Sequence, residues 1–426
     1  MLQWSRVTEA AQTRFVWHDG PVTTTALVSL DEIEDARRRL EGVAVVTPLD
    51  RSRALSERTG GEVFIKCENL QRTGSFKIRG AYNRISRLSE QERAAGVVAA
   101  SAGNHAQGVA LAASLSGCPS TVFMPEDAAI PKVEATKRYG AELVMTGKDI
   151  GAALEAAIEY AEQEGKVFVH PFDHPHIIAG QGTIGCEIVE QLPQVGTVVV
   201  PVGGGGLISG VAAAAKALKP KTRLIGVQAA GAAAFPPSLD KGVPVTLEHL
   251  TTIADGIAAN TPGDLTLAHC QALVDEVVTV SDDAIAEALV FTAERMKLVL
   301  EPAGAAGVAG TMLHSRLMDP PVLVLLSGGN IDPLLLLRVI RFGLSAAGRY
   351  FAFHTRIPDR PGALHKLLGL IAELGANIVG VEHHREGVRI HVNDVDVALQ
   401  IETKGPDHIE ELVGRLTESG YGVERL

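Results

Sequence analysis

The sequence has few aromatic residues and few cysteines. Aromatic side chains make up 4% of the 426 residues, whereas hydrophobic types of all kinds make up 46% and glycine contributes 44 residues. Small aliphatic side chains packed against glycine turns favour a layered α/β architecture over a β-sandwich. The four cysteines are far apart and form no CxxC pair, so the sequence predicts no disulfide framework and a reduced, cytoplasmic protein.

Two further absences exclude classes of partner. No apolar run approaches the ~20 residues that span a bilayer, and residues 1–25 lack the continuous apolar stretch of a signal peptide, so we expect no membrane association. The net charge is −11 and no stripe of basic residues with interleaved aromatics occurs, so we expect no nucleic-acid partner. We interpret residues 1–25 as a loosely ordered N-terminal extension. The chain length suits two or three domains.

Short apolar runs alternate with helical periods after this extension. A βαβ rhythm of this kind predicts parallel sheets flanked by helices. We expect a catalytic region over 26–345 that consists of two α/β domains sharing one cleft, the smaller one at about 80–172. Ligands in such sheets bind beyond the carboxyl ends of the strands. The predicted strands lie within 61–68, 96–100, 120–125, 142–147, 167–172, 197–210, 223–229 and 322–330.

Lys77 lies in the stretch TGSFKIRG, in a predicted turn. Phe76 directly precedes it, and a glycine stands at each end of the stretch after the first threonine. Most lysines are solvated surface residues, and this is one interpretation of Lys77. The other is a desolvated, neutral and therefore nucleophilic amine that forms a Schiff base with an aldehyde cofactor. The motif alone leaves both interpretations open.

Four consecutive glycines at 203–206 follow the apolar run VVVPV and precede an apolar helix. Unobstructed backbone N–H groups and a helix dipole at such a turn can bind a phosphate. The turn is not a nucleotide fingerprint, because no Gly-Lys-Ser/Thr follows it and the third glycine of GxGxxG is missing. The alternative is a turn that only permits tight packing of the helix on the sheet.

Two more polar turns follow predicted strands. SAGNHAQG (101–108) places Ser101, Asn104 and His105 at a helix start, where backbone amides can bind a carboxylate or where the residues only cap the helix. Ser327 in SGGN ends another strand and by itself would be a turn residue. We expect these turns to converge with the glycine turn on one site.

The stretch HPFDHPH contains His170, His174 and His176, which superficially resemble a set of metal ligands. Metal ligands are usually held on regular elements and oriented by further hydrogen bonds. A loop that contains prolines guarantees neither, so we expect no metal site here.

Taken together, these turns resemble the fold-type II pyridoxal-phosphate family and, within it, the threonine and serine dehydratases. The string ENLQRTGSFKIRGA (68–81) resembles the cofactor-attachment motif of this family. The succession of the lysine, SxGNHxQG, GGGGL, EPAGA and SGGN is the dehydratase order. The resemblance covers residues 30–340, and it implies pyridoxal 5'-phosphate as the cofactor and a small amino acid as the substrate.

The resemblance also implies roles for individual residues. Lys77 would hold the cofactor and, once displaced by substrate, act as the general base on Cα. Asn104 would hydrogen-bond the phenolic oxygen of the cofactor, and Ser327 would face its pyridine nitrogen. Residues expected near the ring, without defined roles, are Phe76, Gly256 and Glu301. Residues expected around the phosphate are Gly203, Gly204, Gly205, Gly206 and Leu207. Residues expected around the substrate carboxylate are Ser101, Gly103, Asn104 and His105.

The reaction that the resemblance implies is a lyase reaction: α,β-elimination of water from L-threonine, which gives 2-oxobutyrate and ammonia. The alternatives on the same site are an L-serine dehydratase and a serine racemase. Ala102 stands where the racemases carry a second serine, and this favours elimination over inversion. The segment GVQAAGAAA (226–234) lacks the acidic residues that some racemases use for a divalent ion, so we expect no metal there either. An amino-acid sensor with a decayed catalytic domain is disfavoured by the intact Lys77.

Residues 348–426 show a different pattern. A strand FAFHTRI, a helix to about Leu374, strands at about 377–385 and 389–401, a helix near 406–419 and a last short strand form a predicted α+β unit of βαββαβ order. Together with PDRPGAL (358–364) and GANI (375–378), this order resembles an ACT domain. The resemblance implies that an amino-acid effector binds between copies of a homo-oligomer. It also implies that the effector controls the enzyme allosterically, in isoleucine biosynthesis. The alternative is a dimerisation domain without a ligand.

Overall fold

The computed structural model describes residues 3–9, 12–18, 26–385 and 393–425. The chain divides into two compact units, Met1–Asp332 and Pro333–Leu426. Strand β1 (Gln3–Glu9) pairs antiparallel with β2 (Gln12–His18). The N-terminal extension, which we expected to be loosely ordered, therefore contains a β-hairpin in its described part. The predicted domain boundaries at 1–25, 26–345 and 348–426 stay a prediction.

The rest of the first unit alternates helices and strands. The helices are α1 (Leu30–Arg39), α2 (Arg53–Thr59), α3 (Lys77–Ile85), α4 (Glu90–Ala95), α5 (Asn104–Leu115), α6 (Ile130–Arg138), α7 (Ile150–Gln163), α8 (Pro175–Gln191), α9 (Gly206–Leu218), α10 (Phe235–Lys241), α11 (Asp264–Leu273), α12 (Asp282–Phe291) and α13 (Pro302–His314). The strands are β3 (Leu49–Arg51), β4 (Val63–Lys66), β5 (Val97–Ala100), β6 (Ser120–Met124), β7 (Glu142–Met145), β8 (Val167–Phe168), β9 (Thr197–Pro201), β10 (Arg223–Ala229), β11 (Glu276–Val280) and β12 (Val322–Leu325).

These strands form two sheets. The larger sheet has the order β11-β10-β9-β12-β4-β3 and is parallel except for β3, which runs antiparallel to β4. The smaller sheet has the order β7-β6-β5-β8 and is parallel throughout. The prediction of parallel α/β sheets is confirmed. The sequence pattern did not predict β3 or β11, because β3 has only three residues and β11 is partly exposed.

The central strands explain why the sequence reads as continuous apolar runs. Every residue of β5, β6, β9 and β12 is buried, as helices on both faces of a parallel sheet require. Glycines let the flanking helices approach closely. A Cβ added at Gly210 of α9 would lie 2.2 Å from the carbonyl oxygen of Ile178 in α8. No helix in the described part of the chain is long and apolar enough to cross a membrane.

The second unit begins with α14 (Pro333–Ala346) and continues as the predicted βαββαβ order. Its elements are β13 (Tyr350–Pro358), α15 (Ala363–Glu373), β14 (Asn377–His384), β15 (Asp394–Glu402), α16 (Pro406–Glu418) and β16 (Glu424–Arg425). The sheet is antiparallel with the order β14-β15-β13-β16. The α+β prediction is confirmed; the part of the predicted strand 389–401 that precedes Asn393 lies outside the described residues.

A buried group of charges joins β4, α3 and α8 behind the Lys77 turn. Arg79 donates to Glu187 at 2.6 Å and to Glu68 at 2.8 Å, and Lys66 lies 2.6 Å from the second oxygen of Glu187. All four side chains are buried. Two cations thus balance two carboxylates, which is the condition under which buried charges are tolerated.

We expect Arg79→Met to lower the free energy of unfolding by about 3 kcal/mol, because it leaves Glu68 and Glu187 buried without their shared cation. Urea unfolding of the full chain measures this change. The matched control is Arg58→Met, which breaks an exposed pair with Glu287 and should cost less than about 1 kcal/mol. Equal losses in the two variants would show that the buried group does not stabilise the turn.

Candidate active site

A cavity of about 1100 Å³ opens in the first unit, beyond the carboxyl ends of β5, β9 and β12. The cavity brings together all the residues that the sequence analysis selected for one site. Its lining includes Phe76, Lys77, Ser101, Gly103, Asn104, His105, Gly203, Gly204, Gly205, Gly206, Leu207, Gly256, Glu301 and Ser327. The convergence of the polar turns is thus present in the structure, whereas the roles of the individual residues stay predictions.

Lys77 is the first residue of α3, and its amine faces the cavity. Nζ donates a hydrogen bond to the carbonyl oxygen of Pro171 at 2.8 Å and lies 5.3 Å from the centre of the Phe76 ring. Burial lowers the pKa of Lys77 to about 8, although the negative charge of Glu301 acts in the opposite direction. Lys77 is half-buried, and its lowered pKa indicates a partly desolvated amine and not a solvated surface lysine.

The four glycines form the turn between β9 and α9. Gly205 has φ = +95°, in the left-handed region that favours glycine. A Cβ at Gly204 would lie 2.3 Å from the ring of Phe172, so this ring packs directly on the turn. The N–H groups of the first turn of any helix have no partner within it, and Gly206 and Leu207 line the cavity. The turn therefore provides both close packing and backbone donors suited to an anion.

Asn104, the first residue of α5, is held on both sides of its amide group. Its Nδ2 donates to Glu301 Oε1 at 2.5 Å, and its Oδ1 accepts from Asn330 Nδ2 at 2.7 Å. Asn330 also donates to the carbonyl oxygen of Thr73 at 2.6 Å, which links the network to the lysine turn. The amide of Asn104 is therefore fixed with its NH₂ group towards Glu301.

Glu301 is a buried carboxyl group at the N-terminus of α13. Burial raises its pKa to about 7, and the charge of Asp255 adds to this effect, whereas the hydrogen bond from Asn104 opposes it. A Cβ at Gly256 would lie 3.6 Å from Glu301 Oε1, so the two residues expected near the cofactor ring are neighbours. Glu301 can hold a proton near neutral pH.

The start of α5 also contains Ser101, Gly103 and His105. Ser101 Oγ accepts from the N–H of Gly103 at 3.1 Å, and His105 Nε2 lies 2.9 Å from the carbonyl oxygen of Val169. Burial lowers the pKa of His105 to about 3, and the charge of Lys77 lowers it further. The imidazole is therefore neutral at physiological pH and adds no positive charge. The helix dipole is the main electrostatic attraction that this helix start offers to a carboxylate.

Two histidines of HPFDHPH bind backbone groups through their side chains. His170 Nδ1 accepts from the N–H groups of Phe172 at 3.3 Å and Asp173 at 2.7 Å, and His174 Nδ1 accepts from His176 at 3.0 Å. Burial lowers the pKa of His170 to about 3. His170 thus shapes the loop whose next carbonyl group, that of Pro171, accepts from Lys77.

Three polar residues beside the site were not predicted from the sequence: Asn330, Asp173 and Thr266. Thr266 Oγ1 donates to the carbonyl oxygen of Gly204 at 2.7 Å, and the carboxylate of Asp173 accepts from the N–H of Thr266 at 3.0 Å. Asn330 belongs to the SGGN turn, so its position after a strand was a usable signal. Asp173 and Thr266 are 93 residues apart in the chain, and no local pattern connects them.

Comparison with known proteins agrees with this geometry. Residues 40–328 match the family model of pyridoxal-phosphate dependent enzymes, and residues 355–418 match that of the ACT domain. The chain is 48% identical to an L-threonine ammonia-lyase of Thermotoga maritima over 397 residues, which cover 93% of this chain and 99% of that protein.

Solved structures are similar over about three quarters of the chain. A processed threonine deaminase of Solanum lycopersicum has a TM-score of 0.70 at 38% identity and covers 76% of this chain and 97% of its own. A maize serine racemase has a TM-score of 0.71 at 37% identity and covers 75% of this chain and 99% of its own. The chain belongs to the family of pyridoxal-phosphate-dependent enzymes and carries a C-terminal ACT domain.

Proposed function

We propose that this chain deaminates L-threonine to 2-oxobutyrate and ammonia by α,β-elimination of water, with pyridoxal phosphate as its cofactor. The observation that carries the proposal is the desolvated Lys77 amine in the same cavity as the tetraglycine turn. The names of the Thermotoga maritima and Solanum lycopersicum proteins support threonine as the substrate.

The residues of the cavity fit the chemical groups of this cofactor. Lys77, with a pKa near 8, has a much larger neutral fraction at physiological pH than an ordinary lysine and can attack an aldehyde. The tetraglycine turn and the N-terminus of α9 suit a phosphate. Ser327 is buried at the end of β12 and offers a neutral hydroxyl to a ring nitrogen. When bound, the cofactor supplies an electron sink for the charge that forms as the Cα proton leaves.

The chain's own groups provide the binding and the proton transfer. The N-terminus of α5, which includes Ser101, Gly103, Asn104 and His105, would bind the substrate carboxylate. The backbone donors would be the N–H groups of Asn104 and His105, which have no partner within the helix. The amine of Lys77 would accept the Cα proton, since a base with a pKa near the working pH transfers protons efficiently. Glu301, with a pKa near 7, would hold a proton beside Asn104.

The similarity to the maize serine racemase keeps serine chemistry as the second candidate. Ala102 lines the cavity between Ser101 and Gly103, and its methyl group offers no proton to the opposite face of Cα. This residue favours elimination over inversion. Threonine and serine differ by one methyl group, which pocket contacts distinguish by only ~1–3 kcal/mol.

We expect wild-type protein with pyridoxal phosphate to form 2-oxo acid from L-threonine, and Lys77→Ala to lose at least about a thousandfold in turnover, because the base is removed. A coupled dehydrogenase assay measures 2-oxo acid, and circular dichroism checks the fold. The control is Lys137→Ala, an exposed lysine of α6 that should keep full activity.

Chiral chromatography of reactions with L-serine tests the second candidate, since D-serine as the main product would favour a racemase.

The second unit supports a proposal about regulation. We infer that an amino acid such as isoleucine or valine binds at the ACT domain, between copies of a homo-oligomer, and that the enzyme serves isoleucine biosynthesis. Such control requires that the effector bind one conformational state more tightly than another.

The four cysteines are free and buried. This is in keeping with the reducing cytoplasm, which we propose as the location of the protein.

Removal of residues 348–426 should leave threonine deamination intact and abolish any response to isoleucine or valine, because the cavity and its lining belong to the first unit. Initial rates with and without each effector, for the full chain and the shortened chain, test this. Retained inhibition in the shortened chain would place the effector site elsewhere. A full chain that does not respond to either amino acid would support a dimerisation domain without a ligand.

A further inference from the structure

The loop of residues 170–173, which we name the bridging loop, has no part in the chemistry proposed above. It nevertheless contacts both Lys77 and the tetraglycine turn. The carbonyl oxygen of Pro171 accepts from Lys77 Nζ at 2.8 Å, and the ring of Phe172 packs on the tetraglycine turn. The carboxylate of Asp173, the last residue of the loop, contacts α11.

Asp173 binds the N-terminus of α11. Its carboxylate accepts from the N–H of Thr266 at 3.0 Å. The neighbouring backbone N–H groups of Asp264 and Leu265 also lower its pKa. The approach is so close that a Cβ at Gly263 would lie 2.0 Å from Asp173 Cγ. Burial raises the pKa of Asp173 to about 6, so the carboxylate is ionised at pH 8, where it also complements the helix dipole.

Thr266 passes this constraint to the tetraglycine turn. Its side chain is fully buried, and Oγ1 donates to the carbonyl oxygen of Gly204 at 2.7 Å. Because the peptide bond is planar and trans, a Gly204 carbonyl group held towards Thr266 directs the N–H of Gly205 to the opposite side. Gly205 lines the cavity. The orientation of one backbone donor of the turn thus depends on Thr266. Thr266 in turn is held by Asp173 and by the N–H of Gly263, which donates to Thr266 Oγ1 at 3.0 Å.

We propose that Asp173 is a positioning residue for the phosphate-binding turn: its carboxylate holds Thr266, and Thr266 holds the Gly204–Gly205 peptide in the orientation that binds the phosphate. This inference rests on the proposed function, in which the turn binds the phosphate of the cofactor. It assigns to HPFDHPH a role in cofactor affinity.

Asp173→Asn keeps the size of the side chain and removes its charge. Apo-protein of the full chain is titrated at pH 8 with pyridoxal phosphate and with pyridoxal, which lacks the phosphate, and binding is followed by absorbance. We expect the Kd for pyridoxal phosphate to rise about tenfold, because the neutral amide loses the attraction of a buried negative charge for the helix dipole, and the Kd for pyridoxal to change less than about twofold. A merely destabilised protein would lose affinity for both ligands.

Thr266→Val removes the hydroxyl group that binds Gly204 and keeps the shape of the side chain. If Asp173 acts through Thr266, each single variant and the double variant should all weaken pyridoxal phosphate about tenfold. The matched control is Asp275→Asn. Asp275 also accepts from a backbone N–H, that of Leu224 at 2.8 Å, but stands outside the described lining of the cavity. This control should leave the ratio of the two Kd values unchanged.

Two outcomes would overturn the inference: an unchanged ratio of the two Kd values in Asp173→Asn, or a hundredfold loss in the double variant. The proposed function fails in a different way. In that case wild-type protein itself would bind pyridoxal phosphate no better than pyridoxal. If Asp173→Asn does not fold, Thr266→Val alone decides, since an unchanged ratio there removes the link to the turn.

Discussion

The desolvation of one amine is the constraint on which the site depends. Lys77 begins a helix that packs against α5 and α8, and a Cβ at Gly108 of α5 would already lie 3.1 Å from the Cβ of Lys77. An ordinary lysine in water has a pKa of about 10.4. Its amine is therefore charged at neutral pH and is a poor nucleophile. Burial lowers the pKa of Lys77 to about 8 and so makes the amine available.

Several other features keep this amine in place. The buried Arg79 binds Glu68 and Glu187 behind the turn, and Pro171 accepts the hydrogen bond of Nζ in front of it. The bridging loop connects Lys77 to the tetraglycine turn, so the two ends of a cofactor that spans them would be held by one continuous packing arrangement. Closely packed interiors contain few voids, so the displacement of one residue is transmitted to its neighbours.

Much of the fold was predictable from the sequence, because parallel strands buried on both faces appear as short apolar runs. The runs at 97–100, 120–124, 197–201 and 322–325 were all found on this basis. The edge strands β3 and β11 were missed. They are short or partly exposed, so their hydrophobic pattern is weak. The βαββαβ order of the second unit was predictable for the same reason as the central strands.

The cavity lining was predictable as far as it consists of turns that follow strands, since topology brings those ends together. What the sequence did not indicate is the set of contacts made by residues distant in the chain. The hydrogen bonds of Asp173 with Thr266 and of Asn330 with Asn104 depend on tertiary packing alone. The histidines of HPFDHPH illustrate the difficulty, because His170 shapes the loop through backbone N–H groups that no side-chain pattern reveals.

The titration of Lys77 tests the central claim most directly. The rate at which apo-protein takes up pyridoxal phosphate depends on the neutral fraction of this amine. The rate should therefore rise with pH and level off above a pH of about 8. In Glu301→Gln it should level off at a lower pH, because the carboxylate supports the charged form of Lys77. A rate that continues to rise up to the ordinary lysine pKa of 10.5 would contradict the account.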